Sequence, residues 1–452
     1  MPDPSPITPT AKRWTPSRFR ALLRSRGPTS VRFRRRIAVI AGAVAIGIAA
    51  VLFAQASDAA GEMFGGFAKR YRWVPLLTTP LGFMALVWIT RRWVPLARGS
   101  GIPQVMAARS DPVAATGGLI AVRTVVGKAL LTLGAVLCGA SVGREGPTVQ
   151  IAAAVMGLSH RLMRVTLKSS VVIASGAAGV AAAFNTPLAG VLFAIEELAA
   201  AYEQRMTLMV LSSIVIAGMV AQSLAGDYVY FGAIGAHLPT AGALIVVPVA
   251  GIVGGLAGGG FSRAVLTLAT GRHGITRWSK ARPVLFAGGC GGVVAVLGVF
   301  TGLTWGTGYG AARAMIVGAD APLWFGPAKL LATLATAVAG LPGGIFAPSL
   351  GVGAGVGNLL RAAFPGEPAA AVVILGMVAY FTGVVRAPLT AVIILSETTA
   401  SRGLMLPMFA TAFIADWASM GVCREKLYHG LSATFATKPS AAAPATASTG
   451  RV

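Results

Sequence analysis

Long apolar runs, interrupted by glycine and proline, set the pattern of this chain. They fall at 36–54, 120–139, 171–195, 241–265, 369–385 and 404–418. Crossing about 30 Å of hydrocarbon takes roughly 20 apolar residues in a helix. Some runs reach that length, while others fall short or carry breakers, which predicts broken and re-entrant helices. Irregular backbone survives at membrane depth only where protein or a water-filled cavity satisfies its polar groups. Interrupted spans are also the pattern of carriers that hold a solute near the midplane. The expectation is an all-α polytopic membrane protein.

Composition agrees. The chain is 55% hydrophobic and 12% charged, against about a quarter charged in soluble domains. Mean hydropathy is +0.74. The 58 glycines and 26 prolines supply the breaks. The net charge of +24 changes the picture only through its location. Ten lysines and arginines lie between Lys12 and Arg36, immediately before the first apolar run. That is the positive-inside pattern and puts the N-terminus in the cytoplasm. Arg91, Arg92, Arg98 and the basic loop 272–282 fall on the same side. A mitochondrial-type transit peptide shares the arginine and serine bias. No nucleic-acid partner is expected.

A repeat lies within the chain. Gly143-Arg144-Glu145-Gly146-Pro147 opens one apolar run and Gly344-Ile345-Phe346-Ala347-Pro348 another, at an offset of 344 − 143 = 201. Pro187 is followed nine residues later by Glu196, and Pro388, at the same offset, by Glu397. The organisation expected is a basic cytoplasmic segment 1–36, a first membrane repeat 37–228, a connecting loop 229–239, a second repeat 240–435 and a disordered tail 436–452. Repeats of this kind place a solute site at their interface. Each half also has a Gly-rich turn leading into a helix with proline in its first turn. A helix start presents unpaired N–H groups and partial positive charge, so two such ends would cradle an anion without a cation.

Of 14 acidic residues, Glu145, Glu196, Glu197, Glu397 and Asp416 lie in apolar stretches. An ionisable group in the bilayer is a functional candidate. Glu196 and Glu397 are repeat mates, which points to a shared structural task such as capping. Glu145 and Glu197 have Phe346 and Thr398 as their mates, and this broken symmetry makes them the candidates for handling protons. A carboxylate at Glu145 would compete with a mobile anion and release its seat on protonation. It is equally an ordinary first-turn acid, and the sequence leaves both readings standing. The role of Asp416 is left open by the sequence, with a helix-packing hydrogen bond the favoured reading. Cys138, Cys290 and Cys423 read as small packing residues. Histidines 160, 237, 273 and 429 are scattered, and no His-Glu-x-x-His or Gly-x-Ser-x-Gly is present. No metal, cofactor, catalytic residue or enzymatic activity is expected.

Four motifs resemble the CLC family of chloride channels and chloride/proton antiporters, over about 37–435. Gly99-Ser100-Gly101-Ile102-Pro103 resembles its first anion-binding loop, and 143–147 the loop of its gating glutamate. Residues 344–348 resemble the loop that binds the central chloride, and Lys426-Leu427-Tyr428 the segment whose tyrosine closes the inner side. The resemblance implies the CLC fold, with two inverted repeats of tilted and re-entrant helices, and a homodimer with one pore per subunit in a multi-pass plasma membrane protein. It implies chloride and protons as substrates, chloride contacts from Ser100, Ile345, Phe346 and Tyr428, and loop backbone from Gly99, Gly101, Arg144, Gly146, Gly344 and Ala347. Glu145 becomes the external gate and Glu197 the internal proton relay, which favours exchange; a passive chloride channel of the same fold is the alternative. Ser100 favours chloride over nitrate, and it and the 143–147 loop speak against the fluoride-exporting branch. One departure stands out. Gln104 and Met106 replace acids common in relatives, which leaves the buried Lys128 without its expected carboxylate partner.

Overall fold

A computed structural model describes residues 28–198, 208–226, 229–271 and 274–436. The basic leader up to residue 27, the start of loop 272–282 and the tail after Ala436 lie outside them. The first half runs α1 (Pro28–Arg70), α2 (Pro75–Trp93), α3 (Ile102–Ala108), α4 (Pro112–Ala115), α5 (Val122–Leu137), α6 (Glu145–Leu162), α7 (Ser169–Phe184), α8 (Pro187–Phe193) and α9 (Leu208–Ala225). The second runs α10 (Thr240–Thr270), α11 (Gly274–Ala281), α12 (Pro283–Thr301), α13 (Tyr309–Ile316), α14 (Phe325–Val338), α15 (Phe346–Ala363), α16 (Ala369–Val385), α17 (Pro388–Thr399), α18 (Met405–Val422) and α19 (Leu427–Ala433). Among the described residues there is no strand, and the fold is that of an all-helical polytopic membrane protein. Among the described residues four helices, within α1, α10, α12 and α18, are long and apolar enough to cross a bilayer. The others are shorter, more polar or broken by proline, or no longer than the shortest of these four.

Proline and left-handed residues set the breaks. α2, α8, α12 and α17 each carry proline in their first turn, where its missing N–H costs nothing. The run at 171–195 is not one helix: Asn185 turns into the left-handed region at φ 59° and separates α7 from α8. Its repeat mate Arg386 does the same at φ 59° between α16 and α17. The run at 36–54 is part of a longer helix, α1, of 43 residues.

The repeat offset holds in three dimensions. α15 both starts and ends at the repeat mates of the residues that bound α6. α7 is buried on every side from Val171 to Phe184 and α16 from Ala371 to Val385. A helix apolar all round belongs at the centre of such a bundle, and these two are its axes. Around α16 the packing is backbone on backbone. A Cβ on Gly353 of α15 would lie 2.6 Å from the Met377 Cα. The alternating glycines of 351–357 are thus a close-packing seam.

The halves join by reciprocal contacts, as a pseudo-two-fold axis requires. Gly143 N–H donates to the Gly344 carbonyl and Gly344 N–H to the Gly143 carbonyl, both at 2.8 Å. Glu397 accepts from the Leu188 and Ala189 amides at 3.3 and 2.9 Å. Glu196 accepts from the Leu389 and Thr390 amides at 3.0 and 2.7 Å. Each glutamate therefore caps the helix start of the opposite half, satisfying amides that no intrahelical carbonyl reaches.

Candidate functional site

The loop between Arg98 and Ile102 depends on backbone that only glycine adopts readily: Gly99 has φ 69° and Gly101 φ 116°. Two side chains hold it. Gln104 accepts from the Gly101 amide at 3.1 Å and donates to the Arg98 carbonyl at 2.6 Å. Lys128, wholly buried, donates to the carbonyls of Ala97 at 2.7 Å and Gly99 at 2.6 Å. The missing acid is thus replaced by a ring of carbonyls, and Met106 is simply core. A neutral glutamine suits this role, because it both donates and accepts.

Sequence reading overlooked the mate of Lys128. Lys329, at the repeat offset from it, is equally buried and donates to the carbonyls of Thr304 at 2.8 Å and Gly306 at 2.6 Å, and to Ser141 Oγ at 2.9 Å. The signal was present: two lysines in apolar runs at the repeat offset.

Three loops converge. A Cβ on Gly146 would strike Ser100 Oγ and lie 3.1 Å from the Gly344 Cα, so the seat closes only around glycine. Gly146 sits in the first turn of α6, and Ile345, Phe346 and Ala347 form the start of α15. Glu145 is 1% exposed, and its carboxylate crosses the axis to accept from the Ala347 amide at 3.4 Å. Arg144, its neighbour, points the other way, to the Ala54 carbonyl at 2.9 Å and Asp58 at 2.5 Å. Tyr428, fully buried, packs on the Phe346 ring at 5.8 Å and directs its hydroxyl toward Ser100. The Ser100 and Tyr428 hydroxyls have no hydrogen-bond partner among the described residues.

Two cavities approach this point. One, of about 390 Å³, is lined by Arg98, Ser100, Ile345, Tyr428 and Phe435. The other, of about 660 Å³, is lined by Asp58, Glu62, Arg144, Tyr230 and Tyr309. Both reach Val142, three residues before Glu145.

The second acid is set by a local change in winding. Residues Ala194–Leu198 form a π-helical turn after α8, while α17 stays α-helical through Thr399. Such turns gather at functional positions. Here Glu196 reaches α17 and Glu197 turns inward, 0% exposed. Neither Glu197 oxygen makes a hydrogen bond among the described residues, but Lys426 Nζ lies 3.8 Å from Oε2 and His429 Nδ1 3.5 Å from Oε1. Asp416 does more than pack. It pairs with Arg386 Nε at 3.0 Å, and that guanidinium donates to the carbonyls of Cys423 and Arg424 at 3.3 and 3.1 Å, clamping the segment that leads to Tyr428.

A membrane protein with two repeat-related half-bundles whose buried helix starts, α6 and α15, meet between them is the class that this geometry defines. The family model for voltage gated chloride channels matches residues 81–420, and the chain belongs to that family. It is thus a multi-pass membrane protein of a chloride-transporting family. Solved structures share the fold. A slow cyanobacterial Cl⁻/H⁺ antiporter is similar with a TM-score of 0.77 at 23% identity, over 90% of this chain and 99% of that one. A CLC-type fluoride/proton antiporter gives 0.74 at 20% identity, over 93% and 99%. A eukaryotic CLC transporter gives 0.70 at 20% identity, over 89% and 75%.

Proposed function

We propose that the protein exchanges chloride for protons, with Glu145 as the external gate and Glu197 as the internal proton relay. The observation that carries this reading is the Glu145 carboxylate lying on the Ala347 amide at the start of α15. A carboxylate there occupies donors that would otherwise hold a mobile anion. Protonation removes its charge and its claim on them, so proton binding and anion entry become competitive. Glu197 gives the cycle its second carboxylate, buried and without a hydrogen bond among the described residues. Ser100, Tyr428 and the amides of Ile345 and Phe346 would then contact chloride from neutral groups, which binds the ion without trapping it. Ser100 favours chloride over nitrate.

Topology follows from α1. Arg35 and Asp58 are separated by about 35 Å of helix at 1.5 Å per residue, enough to cross the hydrocarbon. With the basic end in the cytoplasm, the Asp58 cavity faces outward and the Ser100 cavity inward. The protein then works as a homodimer in the plasma membrane. A passive chloride channel is the second reading. It draws on Gln104 and Met106, with Lys128 held by carbonyls and by no carboxylate among the described residues.

The test is proton uptake by proteoliposomes under a chloride gradient, with voltage clamped by a potassium ionophore. Uphill proton movement in wild type, lost in Glu145→Gln and Glu197→Gln while chloride still flows, is the expected outcome. Chloride flux without any proton movement in wild type would establish the channel instead.

A further inference from the structure

A buried carboxylate that shuttles protons needs a partner that reaches water. Glu197 is 0% exposed and has no route of its own. His429 Nδ1 stands 3.5 Å from Glu197 Oε1, and the histidine side chain is 39% exposed. Nδ1 is itself buried and without a hydrogen bond among the described residues, so one end of the ring is inside and the rest meets solvent. Position along α19 matters as well. Tyr428 and Leu431 line the Ser100 cavity, while His429 is not among its described lining residues. Successive residues of a helix point about 100° apart, so the tyrosine faces the anion route and the histidine faces Glu197.

We infer that His429 is the proton-entry residue for Glu197, carrying protons to it from the aqueous face by a path separate from the anion cavity. The inference rests on the reading of Glu197 as the inner relay. In the loading step the Nδ1–H bond of the imidazolium breaks and an O–H bond forms at Glu197 Oε1. Neutral imidazole, protonated at Nε2, and an uncharged carboxyl remain. The ring takes its next proton from water at Nδ1 after swinging outward, and the reverse sequence empties the site.

The surrounding charges fit this role. Lys426 Nζ, 3.8 Å from Glu197 Oε2, steadies the carboxylate before loading and again after the proton has left. Tyr428 lies within electrostatic reach of Glu197. Of the helices packed on α19, α10 brings only Arg263 and α16 only Tyr380 as ionisable side chains, and α3 brings none until Arg109 just past its end, which donates to the Leu198 carbonyl at 2.6 Å. Glu425 lies beside Gly430 of α19. Glu196, next to Glu197, is engaged on the α17 amides. His429 is therefore the imidazole at this contact, with one ring nitrogen on the Glu197 side and a second that can exchange a proton with water.

The full chain in proteoliposomes tests this, with His429→Ala, His429→Asn and Glu197→Gln beside wild type. Chloride-driven proton uptake is expected to fall by roughly 10²-fold in both histidine variants, the low end of what a positioned acid–base group contributes. Chloride flux should persist, and added imidazole should restore uptake in His429→Ala. The pH dependence of wild-type proton uptake should flatten in that variant. Wild-type uptake and an unchanged pH profile in His429→Ala, with Glu197→Gln inactive for protons, would overturn the inference and leave the Glu197 reading intact. Normal uptake in Glu197→Gln would remove that reading and this inference together. Loss of chloride flux in both histidine variants, without imidazole rescue, would make His429 a structural residue and refute the proposal.

Discussion

The two helix starts at the centre, Glu145 of α6 and Phe346 of α15, occupy equivalent places in the two halves and do opposite things. Around them the halves match closely. Gly139 and Gly340 share positive φ, 77° and 82°, and Asn185 and Arg386 share φ 59°. Glu196 and Glu397 cap each other's helices. Lys128 and Lys329 each gather a ring of carbonyls. At the axis the match ends. Glu145 reaches across to an amide of α15, whereas Phe346 packs on Phe381 at 5.0 Å and on Tyr428. Glu197 turns inward from a π-turn, whereas Thr398 donates to the Ile394 carbonyl of its own helix. Repeated positions build the scaffold, and the divergent ones break its two-fold symmetry at the axis, where the proposed exchange of two different ions would need two unlike groups.

The sharpest way to break this comparison is to exchange roles at the axis. Glu145→Gln should abolish proton uptake, a change on the order of 10²-fold or more, while Phe346→Leu should alter chloride flux and keep proton coupling. Parallel proton and chloride measurements decide it; loss of coupling in Phe346→Leu would mean that the halves are not divided as argued.

Next in size are the reciprocal caps. Glu196→Ala and Glu397→Ala each strand two helix-start amides in the opposite half. Each should cost about 1–3 kcal/mol, the desolvation penalty of groups left unpaired. Thermal unfolding in detergent checks this, and two similar losses in Tm are expected. A large loss for one and none for the other would contradict the equivalence.

The smallest effect separates backbone from surroundings. Gly340→Ala meets open space and bears only the cost of left-handed backbone, roughly 1–2 kcal/mol. Gly139→Ala has the same backbone but would drive its Cβ into the rings of Phe64 and Trp305, so its loss of stability should be larger. Equal losses would show that the rings give way freely.

Much of this was legible before folding. The constant offset between motifs marked the halves, the proline starts marked the helices, and the lone positions of Glu145 and Glu197 marked the asymmetry. Lys329 is marked only by its offset from Lys128, since a lone lysine in an apolar run carries no motif of its own. His429 escaped for a deeper reason. It is one of four scattered histidines, and it lies in the opposite half of the chain from the carboxylate that it faces.

The sequence by itself determined the membrane class, the repeat and the places where helices start, since apolar runs, proline and glycine act locally on the backbone. Only the tertiary structure decided which groups meet: Ser100 with Gly146 and Tyr428, Glu145 with Ala347, Lys128 with carbonyls in place of an acid, and His429 with Glu197. Those pairings depend on how half-bundles pack across an axis, and spacing along the chain carries no record of distance across it.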